Sequence, residues 1–555
     1  MSSNFSPKNF TFLISIISSM KLFAVLILTI VCSLTNGTSD KKTSLSVASL
    51  VPLLEMERQL INNLEEYTID LKQKLQILES QIAAMRAENE KGYADPLAYV
   101  SNPLNGLSLI RRLNQDWVMW RKFMQKPVGV LQMRTLDLWL KKLPTNMDLY
   151  SACAGIIRIR DYYDLKLSDI IRGNLFRFKY NVSMSVPDLY AMGQHLFEND
   201  QFLCAIPLLQ DVLQRIREEP FPMGPQLNIE ELDVIKLLVQ SYVQSQQYLQ
   251  ALSILEEGLE LSSSDAFLIR EKENALRLMK ETPTKEKPTK KCTIVNKKHD
   301  IWKNTKECCK GTYKSNNRLM CYYNSSTTPF LRIAPFKTEQ IGLDPYVVVF
   351  HDVLSPREIS KLISLTDRKL VQAVTVNKKS FKEMVRTAKA HWVYRGYQEL
   401  TKRIYRRIHD MSGFELADAE NFQIVNYGIG GHYGEHKDYF NASSSFFTGY
   451  HRSQTKKYLG DRIATVLFYL SDVEQGGATV FPGISADSAY TVYPRAGTAA
   501  MWYNLHTDGL GDPTTLHVAC PVIVGSKWVM TQWIRERSQI FARPCLEPSP
   551  SLNPS

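Results

Sequence analysis

Asn426-Tyr-Gly-Ile-Gly-Gly-His-Tyr-Gly-Glu-His-Lys-Asp438 is the stretch on which the reading of this 555-residue chain turns. It continues an apolar run, Phe422 to Tyr427, breaks at the glycine-rich turn Gly428 to Gly431, and resumes with His436 and Asp438 one residue apart. Alternate side chains of an extended chain share a face, so these two are expected to point together. The neighbourhood has the same texture: Tyr346-Val-Val-Val-Phe350, Ala464 to Leu470, Thr498 to Tyr503 and Val518 to Val524 are β runs, separated by turns such as Gly476-Gly477. Ser355-Pro-Arg-Glu358 starts a helix, with a capping box and proline at its first position. Many short strands with little helix between them predict a sandwich or jelly roll from about residue 336 onward.

His517 opens the last of these β runs. Two imidazoles and one carboxylate on one side of a metal form the facial triad of non-haem Fe(II) oxygenases, which leaves three positions open. Oxidation by O2 then needs electrons, and 2-oxoglutarate supplies them while filling two of those positions. Its far carboxylate requires a cation. Lys527, in Gly525-Ser-Lys-Trp528, lies ten residues after His517, where the next strand brings an ammonium to the same mouth. Tyr427 adds a hydroxyl from the strand before His436, the alternative being a core tyrosine. His432 is read as a supporting residue rather than a ligand. The rival His506-Thr-Asp508 is rejected because it stands too close to His517 to place two strands and a loop between them.

Upstream the period changes from two to three and four. Leu60, Leu64, Tyr67, Leu71, Leu75, Leu78, Ile82 and Met85 predict one long amphipathic, coiled-coil-like helix between Leu53 and Glu90, with a stutter at Tyr67, Leu71 and Leu75. Self-association is one reading; the other is cover from the second stripe, Leu109, Leu113, Trp117 and Trp120. Residues 187 to 262 repeat helix, turn, helix, and Gln246-Gln-Tyr-Leu-Gln-Ala-Leu252 resembles a tetratricopeptide (TPR) helix entry. Such arrays bind extended peptides, and a plain helical bundle is the alternative. Residues 280 to 300 carry seven lysines and two prolines and read as a linker.

Composition sets the class and compartment. With 44% hydrophobic and 22% charged residues the chain is globular rather than disordered or multi-spanning. Its +11 charge is scattered and has no nucleic-acid motif beside it. Phe12 to Ile17 and Leu22 to Val31 flank Met20-Lys21 and make a secretory signal, with cleavage expected between Ser33 and Ser39; a retained anchor is the alternative. The mature chain is expected to have no membrane span. Eight of nine cysteines lie beyond the signal with no C-x-x-C pair, which predicts structural disulfides. Asn181, Asn324 and Asn441 open glycosylation sequons, and the end Ser-Leu-Asn-Pro-Ser carries no retention signal.

Further segments carry a family likeness. Asn426-Tyr-Gly-Ile-Gly-Gly431, Arg462-Ile-Ala-Thr465, Phe468-Tyr-Leu-Ser-Asp472, Gly476-Gly-Ala-Thr-Val-Phe-Pro482, Trp502-Tyr-Asn-Leu505 and Ala519-Cys-Pro-Val522 resemble, in order, the α subunit of collagen prolyl 4-hydroxylase. The likeness is strongest from 418 to 545 and extends over almost the whole mature chain. It implies a double-stranded β-helix, Fe(II) on His436, Asp438 and His517, 2-oxoglutarate on Lys527, and L-ascorbate to rescue oxidised iron. It also implies disulfides Cys520 to Cys545 and Cys309 to Cys321, with Cys308 a competitor. The implied partners are a second α subunit, giving a heterotetramer, and protein disulfide isomerase, whose own signal would hold the complex in the endoplasmic reticulum lumen. The implied substrate is a collagen-type proline-rich peptide.

Three departures stand out. Lys437 occupies the middle of the ligand motif, where it must point away from the metal, and the 438 to 462 loop is long. The family's groove tyrosines align with Phe197, Phe202, Leu203, Leu237, Gln240 and Val243, so only Phe197 and Phe202 keep an aromatic face for proline. The expected organisation is multidomain α+β: a signal at 1–37, a helical dimerisation region at 38–150, a TPR-like peptide-binding domain at 151–278, a lysine-rich linker with a disulfide at 279–335, a catalytic jelly roll at 336–545 with its core at 418–537, and a tail at 546–555. The expected activity is 4-hydroxylation of peptidyl proline. A non-catalytic peptide-binding subunit, or the same chemistry on another secreted substrate, is the alternative.

Overall fold

The computed structural model describes residues 46–218, 229–281, 300–313, 320–366, 369–373, 386–394, 396, 398–440, 460–483 and 489–543. The expected signal, residues 282–299 and 314–319 of the lysine-rich linker, the tail, Asn441, Cys292, Cys545 and most of the long loop after Asp438 lie outside them. Helix α1 (Val47–Ala94) is followed by α2 (Pro96–Ser101), α3 (Pro103–Arg111), α4 (Trp117–Gln125), α5 (Val130–Leu140), α6 (Asn146–Tyr163) and the short α7 (Leu167–Ile171). After the hairpin β1 (Asn174–Leu175) and β2 (Phe178–Lys179) come α8 (Val186–Glu198), α9 (Phe202–Glu218), α10 (Glu231–Gln244), α11 (Tyr248–Leu261), α12 (Ala266–Glu281) and α13 (Asp300–Lys310).

The single long helix is present: α1 runs for 48 residues, about 70 Å at 1.5 Å per residue. Its own neighbours cover part of it. Lys74 Nζ donates to the carbonyls of Met124 and Lys126, and Asn63 donates to that of Gln132. No α1 residue is fully buried, and Leu64 and Leu75 stay exposed, as do Leu113 and Trp117 on the stripe expected to cover them. Among the described residues no helix is long and apolar enough to cross a membrane.

Helices α8 to α12 stack each on the next around Leu189, Leu196, Leu209, Val212, Val234, Leu238, Leu255 and Leu268. Small residues set the spacing, as the sequence indicates: a Cβ on Gly258 would lie 2.8 Å from Ile235 and 2.9 Å from Leu268. The expected boundary at 150 falls inside α6, whose Thr145–Asp148 capping box starts it four residues before that point.

The remaining chain forms two facing antiparallel sheets. Strands β3 (Cys321–Asn324), β4 (Phe336–Leu343), β5 (Tyr346–His351), β6 (Val371–Gln372), β7 (Ala388–Val393), β8 (Phe422–Tyr427), β10 (Arg462–Tyr469), β14 (Ala499–Tyr503) and β17 (Trp528–Arg535) make the large sheet, in the order 3-4-5-14-10-17-8-7-6. The small sheet is 13-12-15-9, from β9 (Tyr433–His436), β12 (Thr479–Phe481), β13 (Tyr490–Val492) and β15 (His517–Ala519). A two-stranded ribbon joins β11 (Gln475–Gly476) to β16 (Val522–Val524). The run expected from Val518 to Val524 is thus two strands, divided at Cys520-Pro521.

Period two decides what each large-sheet strand offers. Phe422 and Ile424, Val466 and Phe468, and Met530 and Ile534 pack beneath helices α14 (Pro356–Ser364) and α15 (Glu399–Ser412), while Val425 and Tyr427, Leu467 and Tyr469, and Val529 face the small sheet. α14 begins at the expected Ser355–Glu358 capping box. The small sheet's outer face is covered by elements from upstream: Ile159, Tyr162 and Tyr163 of α6 and Cys308 and Cys309 of α13 pack on Val480, Val518 and Cys520.

That packing corrects both expected disulfides. Cys309 is bonded to Cys520, with Cα atoms 5.7 Å apart, because α13 lies against the end of β15. Cys321 is a free, exposed thiol that opens the edge strand β3 of the other sheet, and Cys308 is free and buried. Cys204 is also disulfide-bonded, with its partner outside the described residues. A 211-residue separation makes the Cys309–Cys520 link a large constraint on the unfolded chain. Cys309→Ser is expected to lower unfolding free energy by about 2–5 kcal/mol, whereas Cys321→Ser leaves it unchanged in chemical denaturation.

Candidate metal centre

Two segments remote in sequence, one carrying His436 and Asp438 and the other His517, converge between the sheets. β9 and β15 pair antiparallel with His436 directly opposite His517, which puts their rings 4.1 Å apart. β9 stops at His436, so Asp438 arrives from the turn that follows rather than from the strand itself. Asp438 Oδ1 lies 3.9 Å from His436 Nε2, and Oδ2 lies 3.9 Å from His517 Nε2. One candidate ligand atom from each residue lies within 4.8 Å of the other two, and among the described residues this is the one such cluster of metal-binding types.

The surrounding bonds prepare these atoms for a cation. His436 Nδ1 is 2.8 Å from the Gly434 carbonyl and His517 Nδ1 is 2.9 Å from that of Thr515. A carbonyl only accepts, so both rings donate from Nδ1 and turn Nε2 inward. Burial and the neighbouring His517 push the His436 imidazole well below its ordinary value, which keeps it neutral. Burial alone would raise the Asp438 carboxyl, but His517, His436 and Arg462 outweigh it and hold it at about 2. Two imidazoles and a carboxylate fit a hard-to-borderline divalent metal such as Fe(II).

Asp438 is fixed from behind. Thr465 Oγ1 donates to its Oδ2 at 2.8 Å, and Asn504 Nδ2 donates to that hydroxyl at 2.9 Å. Arg462 reaches the Asp438 carbonyl at 3.3 Å while forming a two-pronged pair with Glu420 at 2.6 and 2.9 Å. Tyr433 stacks on His436 with centroids 3.4 Å apart, and Trp502 meets His517 edge-on at 4.9 Å. Sequence reading missed Thr465, Asn504 and Tyr433 as site residues. Alternation along β10 was the available signal for Thr465, since it shares the face of Leu467 and Tyr469. Thr465→Val is expected to weaken divalent metal binding 10- to 100-fold in anaerobic calorimetry with little loss of stability.

Lys527 comes just before β17 and is 1% exposed. Its ammonium lies 5.4 Å from the Tyr427 ring centroid and 5.8 Å from that of Tyr469, with no acid or hydrogen-bond acceptor on it among the described residues. Burial alone lowers its amine to about 7. The same apolar layer holds Tyr427, Tyr469, Phe481 and Trp502, and the buried Trp502 Nε1 and Asn504 Oδ1 also lack partners among the described residues. An orphaned cation in a dry layer beside a metal-type cluster suits a dianionic co-substrate such as 2-oxoglutarate.

The other expectations divide cleanly. Lys437 is exposed and lies over Tyr439 at 5.5 Å, away from the cluster. His432 is no member of the cluster and is bonded to Thr387. His506 stands apart, 3.7 Å from Asp512. In the helical region Phe197 and Phe202 meet edge to face at 5.3 Å and are half-buried beside Leu203, with Leu237 and Gln240 also half-buried and Val243 buried.

Comparison with known proteins gives two family matches: the prolyl 4-hydroxylase α-subunit N-terminal region over residues 46–177, and the 2OG-Fe(II) oxygenase superfamily over 422–535. A prolyl 4-hydroxylase subunit α-1 from Caenorhabditis elegans is 30% identical over 520 residues, covering 90% of each chain. A subunit α-2 from Gallus gallus is 29% identical over 523 residues, covering 90% of this chain and 94% of its own. A solved viral collagen prolyl hydroxylase from Paramecium Bursaria Chlorella virus-1, in complex with 2OG, aligns with 34% of this chain and 95% of its own at 23% identity and a TM-score of 0.27.

Proposed function

The chain belongs to the family of prolyl 4-hydroxylase α subunits, and from that premise we propose that it hydroxylates peptidyl proline at C4, consuming O2 and 2-oxoglutarate and releasing succinate and CO2. The observation that carries this reading is the inward-facing His436, Asp438 and His517 set beside the unpaired, buried Lys527. Iron held by those three residues supplies the oxidising chemistry when bound. The protein's part is to bind, orient and exclude water. Lys527 takes the far carboxylate of 2-oxoglutarate and Tyr427 lends its hydroxyl; Phe481 and Trp502 keep the layer dry; the Gly434 and Thr515 carbonyls hold both imidazoles in the ligating tautomer.

The facing sheets support a double-stranded β-helix, or jelly roll, and the stacked helices α8 to α12 support a TPR-like peptide holder. Phe197 and Phe202 offer the proline-stacking surface there. The exposed apolar faces of α1 and its covering helices support pairing with a second copy. Protein disulfide isomerase as partner, L-ascorbate as reductant and residence in the endoplasmic reticulum lumen complete the proposal. Because only two aromatic groove positions remain, a non-collagen secreted substrate is the second reading. Co-expression with protein disulfide isomerase, followed by succinate release with Fe(II), 2-oxoglutarate and either a Pro-Pro-Gly repeat or another proline-rich peptide, decides between them. Folded protein that turns over neither peptide would instead indicate a non-catalytic peptide-binding subunit.

A further inference from the structure

Helix α6 reaches the turn before His436 from outside the catalytic sheets. A Cβ added to Gly155 would lie 2.6 Å from the Ile429 carbonyl oxygen, and one added to Gly430, at φ +54°, would lie 2.2 Å from the Gly155 oxygen. Backbone meets backbone there, which only glycine permits. One turn along the helix, Arg158 donates from Nε to the Gly430 carbonyl at 2.9 Å and from Nη2 to Thr387 Oγ1 at 3.4 Å.

Thr387 is itself bonded to the turn. Its amide donates to the His432 carbonyl at 3.0 Å, the His432 amide donates to its hydroxyl at 3.1 Å, and that hydroxyl lies 3.0 Å from His432 Nδ1. On the opposite side Gly430 N donates to the Val522 carbonyl and Val522 N to that of Gly431. The segment joining Tyr427 to Tyr433 and His436 is therefore clamped between β16 and α6. Arg158 forms no ion pair among the described residues, so its charge-assisted bonds go to this turn and to Thr387.

The other end of α6 holds the stacked helices. Tyr150 donates to Asn199 Oδ1 at 2.7 Å, its ring packs on His195 at 4.5 Å, and Cys153 Sγ lies 3.9 Å from the Ala191 carbonyl. Asn199 is the C-cap of α8, which carries Phe197.

We propose that Arg158 is a positioning residue for the reaction: an arginine outside the catalytic sheets that seats residues 428–433, and so sets Tyr427 and His436 in register with the helices that hold the peptide. This rests on the oxygenase reading above, and the test separates the two. Arg158→Gln, Arg158→Lys and the control Ser151→Ala, a half-buried site on the same helix whose hydroxyl donates to the Met147 carbonyl, are made in the full chain co-produced with protein disulfide isomerase. Amide hydrogen exchange at residues 428–433 is read first, without added metal.

Loss of a charge-assisted bond is expected to speed exchange there roughly tenfold or more in Arg158→Gln, less in Arg158→Lys, and not at all in Ser151→Ala. Steady-state turnover is expected to show a lower kcat in the same order, with binding of a proline-rich peptide to the helices unchanged. Unchanged exchange at 428–433 in folded Arg158→Gln, or a rise spread over the whole chain, overturns the proposal. Should Arg158→Gln not fold, Arg158→Lys decides by the same local readout. A wild-type chain with no turnover sinks the oxygenase reading while the exchange result still decides the role of Arg158.

Discussion

His517→Ala is expected to take succinate release to background, a fall of at least about three decades or roughly 4 kcal/mol in the barrier, while peptide binding to α8–α12 is retained. The two effects separate because the residues belong to different cores. His517 lies between the sheets opposite His436, and the groove candidates Phe197 and Phe202 lie on the helical stack. Asp438→Asn is the sharper companion: it keeps shape but removes the only anion among the three ligands. Anaerobic Fe(II) binding measured beside turnover identifies the lost step. Retention of both by either variant would remove these residues from the centre.

Lys527→Ala is the second large effect. The ammonium is buried with no anion on it among the described residues, so the co-substrate's far carboxylate would be its ion-pair partner. Truncating one side of a buried charge pair costs about 3–5 kcal/mol, equivalent to a rise in KM for 2-oxoglutarate of roughly two to four decades. kcat at saturation is expected to change far less. pH supplies an independent check. Burial lowers the free amine to about 7, below its ordinary value, so the empty site loses its positive charge as pH rises through that value. Binding the carboxylate favours the charged form. The affinity for 2-oxoglutarate in wild type is therefore expected to weaken above about pH 7 with net proton uptake on binding, and Lys527→Ala is expected to lose that dependence.

Much of the centre was legible before any coordinates. His436 and Asp438 at a spacing of two, His517 at the start of a β run and Lys527 ten residues later are constraints that a chain must satisfy locally, and β texture made their convergence a matter of strand pairing. Alternation along β10 put Thr465 on the inward face, but that it and Asn504 support Asp438 was not legible, because a hydroxyl in a buried strand looks like any threonine until its neighbour is known. The disulfides failed for a related reason. Cys309 was assigned to a linker, yet α13 folds on the small sheet, and no spacing rule reveals that a residue 211 positions away will lie beside it. The long helix was legible from its period; what covers its exposed leucines depends on surfaces that period does not specify.

The outer face of the small sheet has a practical meaning for anyone seeking a minimal enzyme. A fragment starting at residue 336 would contain all three ligands and Lys527, yet it would leave Val480, Val518 and the unbridged Cys520 without Ile159, Tyr162, Tyr163 and Cys309. Such a bared apolar sheet is prone to aggregation. Trimming by domain boundary would thus remove the support of β12 and of β15, the strand that presents His517, and an inactive, poorly soluble fragment would say little about the intact protein.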